Sequence, residues 1–288
     1  MNKDISRKRA VLPSSVSKRL SKIAASGVTG RGPSCLCRDD LWQRSLDLLR
    51  GKKRIAVISG FYVPSASAAE TDGPPGSAVL ARALLWLGRD VRIWTDRVCL
   101  DSLKVCAKVL DFPEECVLVA SDDPSEWPQL LVYIERLGRA ADGMYYNMRG
   151  EDISDWTSPL DAHALRGLVP VIAVGDGGNE VGMGCLTDRL SVLMRDFSRC
   201  LCVVGADVCI PVDVSNWGAY ALVAALSFVE GRWLGQTEEE ERRMLEALSE
   251  SGAVDGRTKE RTLSVDGIPL DGHLNVRSSL EKLAKEGF

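Results

Sequence analysis

VIAVGDGGNEVGMG, residues 171–184, is the stretch that decides the fold. Its first four residues are apolar and mostly β-branched, the pattern of a buried strand rising from Pro170. Glycines then stand at 175, 177, 178, 182 and 184, with Asp176, Asn179 and Glu180 set among them. Glycine permits positive φ and close backbone approach. A tight strand-to-helix turn alone would account for the glycines, but it has no use for three polar side chains in five positions. Oxygens and an amide at the carboxyl end of a strand stand where open α/β sheets bind their ligands.

Outward from this stretch the same alternation repeats. Arg54–Ser59 (RIAVIS), Val91–Thr95 (VRIWT), residues 116–120 (CVLVA), Leu130–Ile134 (LLVYI) and Leu201–Gly205 (LCVVG) read as strands. Between and after them come helical patterns: up to Gly51, over 78–87, near 99–110, a short one opened by Ser158 and Pro159, and one running to Glu230. Asp72 or Gly73 can cap a helix whose first position suits Pro74, and Thr237 with Glu240 forms a capping box. The expected fold is therefore α/β: a layered, mostly parallel sheet with helices on both faces and a helical C-terminal extension. The expected organisation is a basic, loosely structured arm over 1–38 and a single domain over 39–288.

The chain has 288 residues and a net charge of −4. Its first 38 residues hold nine Lys/Arg against one acid, and the remainder is net −12. No aromatic residue precedes Trp42, so the arm reads as a solvated tail rather than a nucleic-acid contact. The arm is also rich in Ser, Lys and Arg, which leaves a transit peptide open. The expected location is cytoplasmic, or mitochondrial if the arm is such a peptide. Apolar runs such as Ala219–Val229 are too short to span a bilayer. Nine cysteines without a CxxC, beside two histidines, offer little for a Cys/His zinc site and suggest reduced thiols. No GxxxxGK[ST] or GxSxG occurs, and GDGGNEVG is not a dinucleotide fingerprint.

Four polar clusters fall at expected strand ends: Glu70/Thr71/Asp72, Glu135 to Arg149, Asp176/Asn179/Glu180, and Asp207 to Asn216. If the topology gathers them on one edge, the inventory fits a small zwitterionic or dicarboxylic ligand. Arg139 or Arg149 would clamp a carboxylate. Asp176, Glu180 or Glu70 would take an ammonium or act as general base. Asp176 and Glu180 are also the residues that would hold a hard cation such as Mg²⁺ or Ca²⁺, if any is bound.

ETDGPPG at 70–76, IERLGRAADGMYYNMRG at 134–150, GDGGNEVGMG at 175–184, VSNWGAYAL at 214–222 and SVDGIPLDGH at 264–273 together resemble the D-glutamate cyclase family. More narrowly, they resemble the C-terminal domain of its animal members, which carry a further N-terminal domain where this chain has the basic arm. The resemblance implies a carbon–oxygen hydro-lyase that turns D-glutamate into 5-oxo-D-proline and water. It implies a carboxylate base for the amine, charge neutralisation for a tetrahedral intermediate, and an acid for the leaving oxygen. The residues assigned to that catalysis are Asp176 and Glu180 as base or metal ligands, Arg149 as clamp and Asp72 in support. Asn147, Asn179 and Asn216 would orient substrate, with Glu70, Thr71, Arg139, Gly177 and Gly178 as further contacts. No cofactor is expected with certainty, and a divalent cation such as Mg²⁺ is left open. The expected partner is an amino-acid substrate, with no nucleic acid and no membrane, and a homo-oligomer is left open. The alternative is a non-catalytic or differently specific amino-acid- or metabolite-binding module of the same fold.

Overall fold

In a computed structural model describing residues 11–120 and 127–288, the apolar runs pair into one six-stranded sheet. In chain order the elements are α1 (Ser14–Ala24), α2 (Asp40–Leu49), β1 (Arg54–Ser59), β2 (Tyr62–Val63), β3 (Ala68–Ala69) and α3 (Pro74–Trp86). There follow β4 (Asp90–Thr95), α4 (Leu100–Val109), β5 (Val117–Val119), β6 (Leu130–Ile134), α5 (Ala162–Leu165) and β7 (Val171–Gly175). The chain closes with α6 (Thr187–Leu193), β8 (Val208–Pro211), α7 (Ser215–Glu230), α8 (Glu238–Ser251), β9 (Ser264–Val265), β10 (Ile268–Pro269) and α9 (Leu270–Lys285).

The sheet order is β5-β4-β1-β6-β7-β8, and every neighbouring pair is parallel. This is a doubly wound arrangement whose order reverses between β1 and β6, and such sheets bind ligands at the carboxyl end of that switch point. Strand residues alternate between two cores. Ile55, Val57, Val132 and Ile134 enter one core; Ala56, Ile58, Leu131 and Tyr133 enter the other. Both faces are covered, but unequally. The long helices α2, α3, α4 and α7 lie on the first face, with α1, α8 and α9 packed against that layer. The second face is covered by the connections around β7, which include the short helices α5 and α6.

Two expectations give way. Residues 1–10 of the basic arm lie outside the described residues, but from Leu12 onward the arm belongs to the fold. Val16, Leu20 and Ala24 repeat at helical spacing and bury one stripe of α1, while Lys18, Arg19 and Lys22 stay exposed. The Trp42 indole N–H donates to Ser21 Oγ at 3.0 Å, tying α2 to α1. The strand expected over Leu201–Gly205 is displaced to β8. Residues 201–205 instead cross the glycine-rich stretch: Cys202 N donates to Gly178 O, and Gly182 N and Gly184 N both donate to Val204 O. A Cβ at Gly184 would stand 2.5 Å from the Val203 carbonyl, so this crossing requires glycine there.

The expected capping box forms at α8, where Thr237 Oγ1 accepts from Glu240 N and Glu240 accepts from Thr237 N. One turn on, Glu241 is buried, accepting from the Tyr220 hydroxyl at 3.1 Å and from Gln236 Nε2 at 2.8 Å. Burial pushes its carboxyl up to about 7 from an ordinary 4.5, and the two hydrogen bonds only partly offset this. A carboxyl raised on folding favours the native state at low pH, and that contribution is lost as pH rises toward 7. Glu241→Gln is therefore expected to gain ~3 kcal/mol over wild type on going from about pH 5 to about pH 8, read by urea denaturation. An equal gap at both pH values would refute this.

Candidate functional site

A cavity of about 400 Å³ opens at the carboxyl edge of the sheet. Buried acids line it: Glu70, Glu135, Asp176, Glu180 and Asp266. Exposed Arg149 and Arg257 stand on its rim, and Phe61, Val63, Met148, Met194 and Phe197 supply apolar wall. Residues 29–31 close one side. Its polarity therefore runs from an anionic floor to a cationic rim.

The five acids arrive from four places in the chain, Asp176 and Glu180 sharing the turn after β7. Glu135 directly follows β6 with φ +45°, a left-handed conformation that costs a non-glycine residue on the order of 1 kcal/mol. Its Oε2 accepts from the Ser215 hydroxyl at 2.6 Å. Asp176 directly follows β7, and Asp266 sits in the turn between β9 and β10, also at positive φ (+56°). Glu70 follows β3, its N–H bonded to Phe61 O, and no hydrogen bond among the described residues reaches its carboxylate.

Asp72 and Asn216 exchange caps. Asp72 accepts from Ser215 N and Asn216 N, both at 2.8 Å, at the start of α7. Asn216 Oδ1 accepts from Gly73 N at 3.1 Å and Gly76 N at 2.8 Å, at the start of α3. These two helix starts are thereby locked together, each anion or dipole meeting the other helix's free N–H groups.

The glycine-rich turn closes on itself. Glu180 accepts from Asp176 N at 3.2 Å, Gly177 N at 2.6 Å and Gly178 N at 2.7 Å. Those N–H groups are engaged by the chain's own carboxylate, so the turn is not a helix start offering an anion hole. Arg31 reaches into the acids from the segment after α1, one guanidinium nitrogen donating to Asp176 and the other to Asp266. Asp213 aims it, accepting from Ser26 Oγ and from the N–H groups of Gly27 and Val28.

The acids crowd one another. Carboxylate oxygens of Asp72, Asp176 and Asp266 lie within 4.8 Å of one another, and so do those of Glu135, Asp176 and Glu180. Burial, reinforced by the Asp266 charge, pushes Asp72 up to about 7. Burial likewise raises Glu70, with Asp266 and Asp72 adding to it, and Glu135, with Glu180 and Asp72 adding. Asp176 is raised well above the usual carboxylate range by burial, against the opposing pull of Arg31. Burial opposes the charge on Arg31 too, but Asp176 and Asp266 outweigh it and hold the guanidinium protonated. Glu70, Asp72, Glu135 and Asp176 are thus all biased toward their protonated forms or toward taking up a cation.

Of the residues expected from sequence, Glu70, Asn147, Arg149, Asp176, Gly177, Asn179 and Glu180 line the cavity. Asn147 bonds its own loop through Glu151 and Arg149 N, and Asn179 Nδ2 donates to Tyr146 O. Thr71, bonded to Ser264 O, lies behind the cavity wall with Asn216 and Gly178. Arg139 lies elsewhere: it pairs with Asp161 at 2.8 Å and is not among the residues lining the cavity. Sequence reading named no role for Arg31, Asp266 or Arg257, and left Glu135 outside the assigned set. Asp266 stands in the quoted SVDGIPLDGH, and Arg31 is bracketed by Gly30 and Gly32; those were the available signals.

Residues 20–281 match the family described as D-glutamate cyclase-like, C-terminal. This chain belongs to the D-glutamate cyclase-like family. It is 35% identical over 218 residues to a Homo sapiens protein named "D-glutamate cyclase, mitochondrial", an alignment covering 66% of this chain and 35% of that relative. The chain thus spans about a third of that relative's length. In this D-glutamate cyclase-like domain the matched region begins within α1, so the segment carrying Arg31 lies inside it.

Arg139 tests the division between scaffold and cavity. Its partner Asp161 is fully buried and is also bonded by the Tyr145 hydroxyl at 2.6 Å. Arg139→Met leaves that carboxylate with the Tyr145 hydroxyl and the residue-139 N–H but no positive partner, and with a third of Arg139 exposed the expected loss of stability is about 2 kcal/mol by urea denaturation. A loss below about 0.5 kcal/mol, within the range of plain surface substitutions, would show that the pair supports nothing.

Proposed function

We propose that this chain is a hydro-lyase that converts D-glutamate to 5-oxo-D-proline and water. The observation that carries the reading is the cavity's polarity, an acid floor below a rim of Arg149 and Arg257. A dicarboxylic amino acid matches it end for end, with the ammonium among the acids and the carboxylates at the arginines. The D configuration comes from the name of the human relative, and the product from the family resemblance of the sequence motifs.

The reaction asks for three things. The ammonium must lose a proton before nitrogen attacks the γ-carboxyl carbon, and Asp176, made more basic than an ordinary carboxylate by burial, is the base. Negative charge on the γ-oxygens must be met as the carbon becomes tetrahedral. With the turn N–H groups engaged by Glu180, that role falls to the rim arginines. The departing oxygen must be protonated, and Glu70 or Glu135, both raised by burial, is the acid. The two protons leaving nitrogen are the two that oxygen takes away as water, so the balance closes without a co-reactant. Ring closure is intramolecular, and holding the folded conformer supplies ~7 kcal/mol or more.

A second reading, an amino-acid-binding module without turnover, is favoured by one feature: Arg31 already stands where the ammonium would go. Chiral chromatography of D- and L-glutamate incubated with the purified chain, with and without Mg²⁺, separates the two. Loss of the D isomer alone with 5-oxoproline appearing is the expected result, and Asp176→Asn is expected to lower kcat by ~10²–10⁴ with an unchanged circular dichroism spectrum. No turnover of either isomer, together with a ligand-induced rise in Tm, would establish the binding module instead.

A further inference from the structure

The geometry points to a divalent-cation site built from Asp176 and Asp266 with Asp72 behind them, for which Arg31 is the chain's own competitor. Four observations carry it. The donor set is all carboxylate, the chemistry of hard ions of the Mg²⁺, Mn²⁺ or Ca²⁺ class. One oxygen from each of the three residues lies within 4.8 Å of the others. Opposite ligands of Ca²⁺ stand up to ~5 Å apart and those of an octahedral Mg²⁺ ~4.2 Å, so the three oxygens are within the span of one Ca²⁺-sized ion and reach a Mg²⁺-sized one by drawing slightly closer.

The third observation is what Arg31 leaves undone. It bonds only Oδ1 of Asp176 and Oδ1 of Asp266. Among the described residues, the Oδ2 atoms of both are buried without a hydrogen-bond partner, on side chains only 1% and 3% exposed. A buried carboxylate oxygen left without a donor is costly, and a divalent ion satisfies it where a monovalent guanidinium fork has not. The fourth is that Arg31 is free to leave. It is flanked by Gly30 and Gly32, both at positive φ, and its side chain is a quarter exposed. The segment before it stays anchored through Asp213 when the guanidinium swings out.

Asp72, whose oxygens already accept the N–H groups of Gly73, Ser215 and Asn216, is the outermost of the three, and Glu180, likewise bonded to three backbone N–H groups, belongs to the other acid group with Glu135. The site shares the cavity of the proposed reaction but does not depend on that reaction, since the cation is titrated without substrate.

The test is isothermal titration calorimetry of the chelator-treated full chain with MnCl₂ and with MgCl₂. Saturable one-site binding is expected, tightened at least about tenfold in Arg31→Gln and weakened at least about tenfold in Asp266→Asn. Thermal denaturation of each variant establishes that it is folded. Should Asp266→Asn fail to fold, Arg31→Gln decides alone: tighter binding supports the site, and unchanged or weaker binding overturns it. Absence of saturable binding at millimolar metal in both wild type and Arg31→Gln also overturns it, as does binding indifferent to Asp266→Asn. Any of these failures leaves the turnover of D-glutamate as a separate question.

Discussion

A carboxylate taken out of water has to be met by donors, and this chain meets that constraint by using acids to hold separate pieces of backbone together. Asp213 ties the segment after α1 to the end of β8. Asp72 fixes the start of α7, and Glu180 draws the glycine-rich turn around itself. Asp255 accepts from Arg257, Thr258 and Gly267 N–H groups, shaping the loop that brings Arg257 and Asp266 to the cavity. Glu70, Asp176 and Asp266 differ in kind: among the described residues, no backbone N–H reaches their carboxylates. Scaffold and chemistry are thus distinguished by the supply of donors, not by residue type.

Much of the sheet was legible in the sequence because strands buried on both faces read as unbroken Val/Ile/Leu runs. RIAVIS and LLVYI stand where they were expected, and VIAVG ends at the turn carrying Asp176. LCVVG and VCIP are two short apolar runs separated by Ala206 and Asp207. Nothing local says that the first crosses the glycine-rich stretch and only the second pairs with β7. The arm misled for another reason. Interleaved Lys, Arg and Ser lower the mean hydropathy of α1, yet its apolar residues share one face.

The candidate site was legible where function and turn chemistry share a motif, as in ETDGPPG and GDGGNEVGMG. It was not legible where partners are distant in sequence. Arg139 has Asp142 as a near neighbour in the chain, but its partner is Asp161. Arg31 meets Asp176 and Asp266 across 145 and 235 residues. The strand order is that of dinucleotide-binding sheets, yet at the start of α3, the helix after the first strand where such folds offer N–H groups to phosphate, Gly73 N and Gly76 N are engaged by Asn216 Oδ1.

Acids that receive no backbone donor have a further consequence, for how the cavity can change over evolutionary time. Replacing Asp72 or Glu180 strands several N–H groups at once, so those positions are bound to the fold. Replacing Glu70 strands none. The floor of the cavity can therefore exchange charge and shape through single substitutions while the loops that carry it keep their conformation. A fold arranged in this way can shift its ligand preference without first losing its structure.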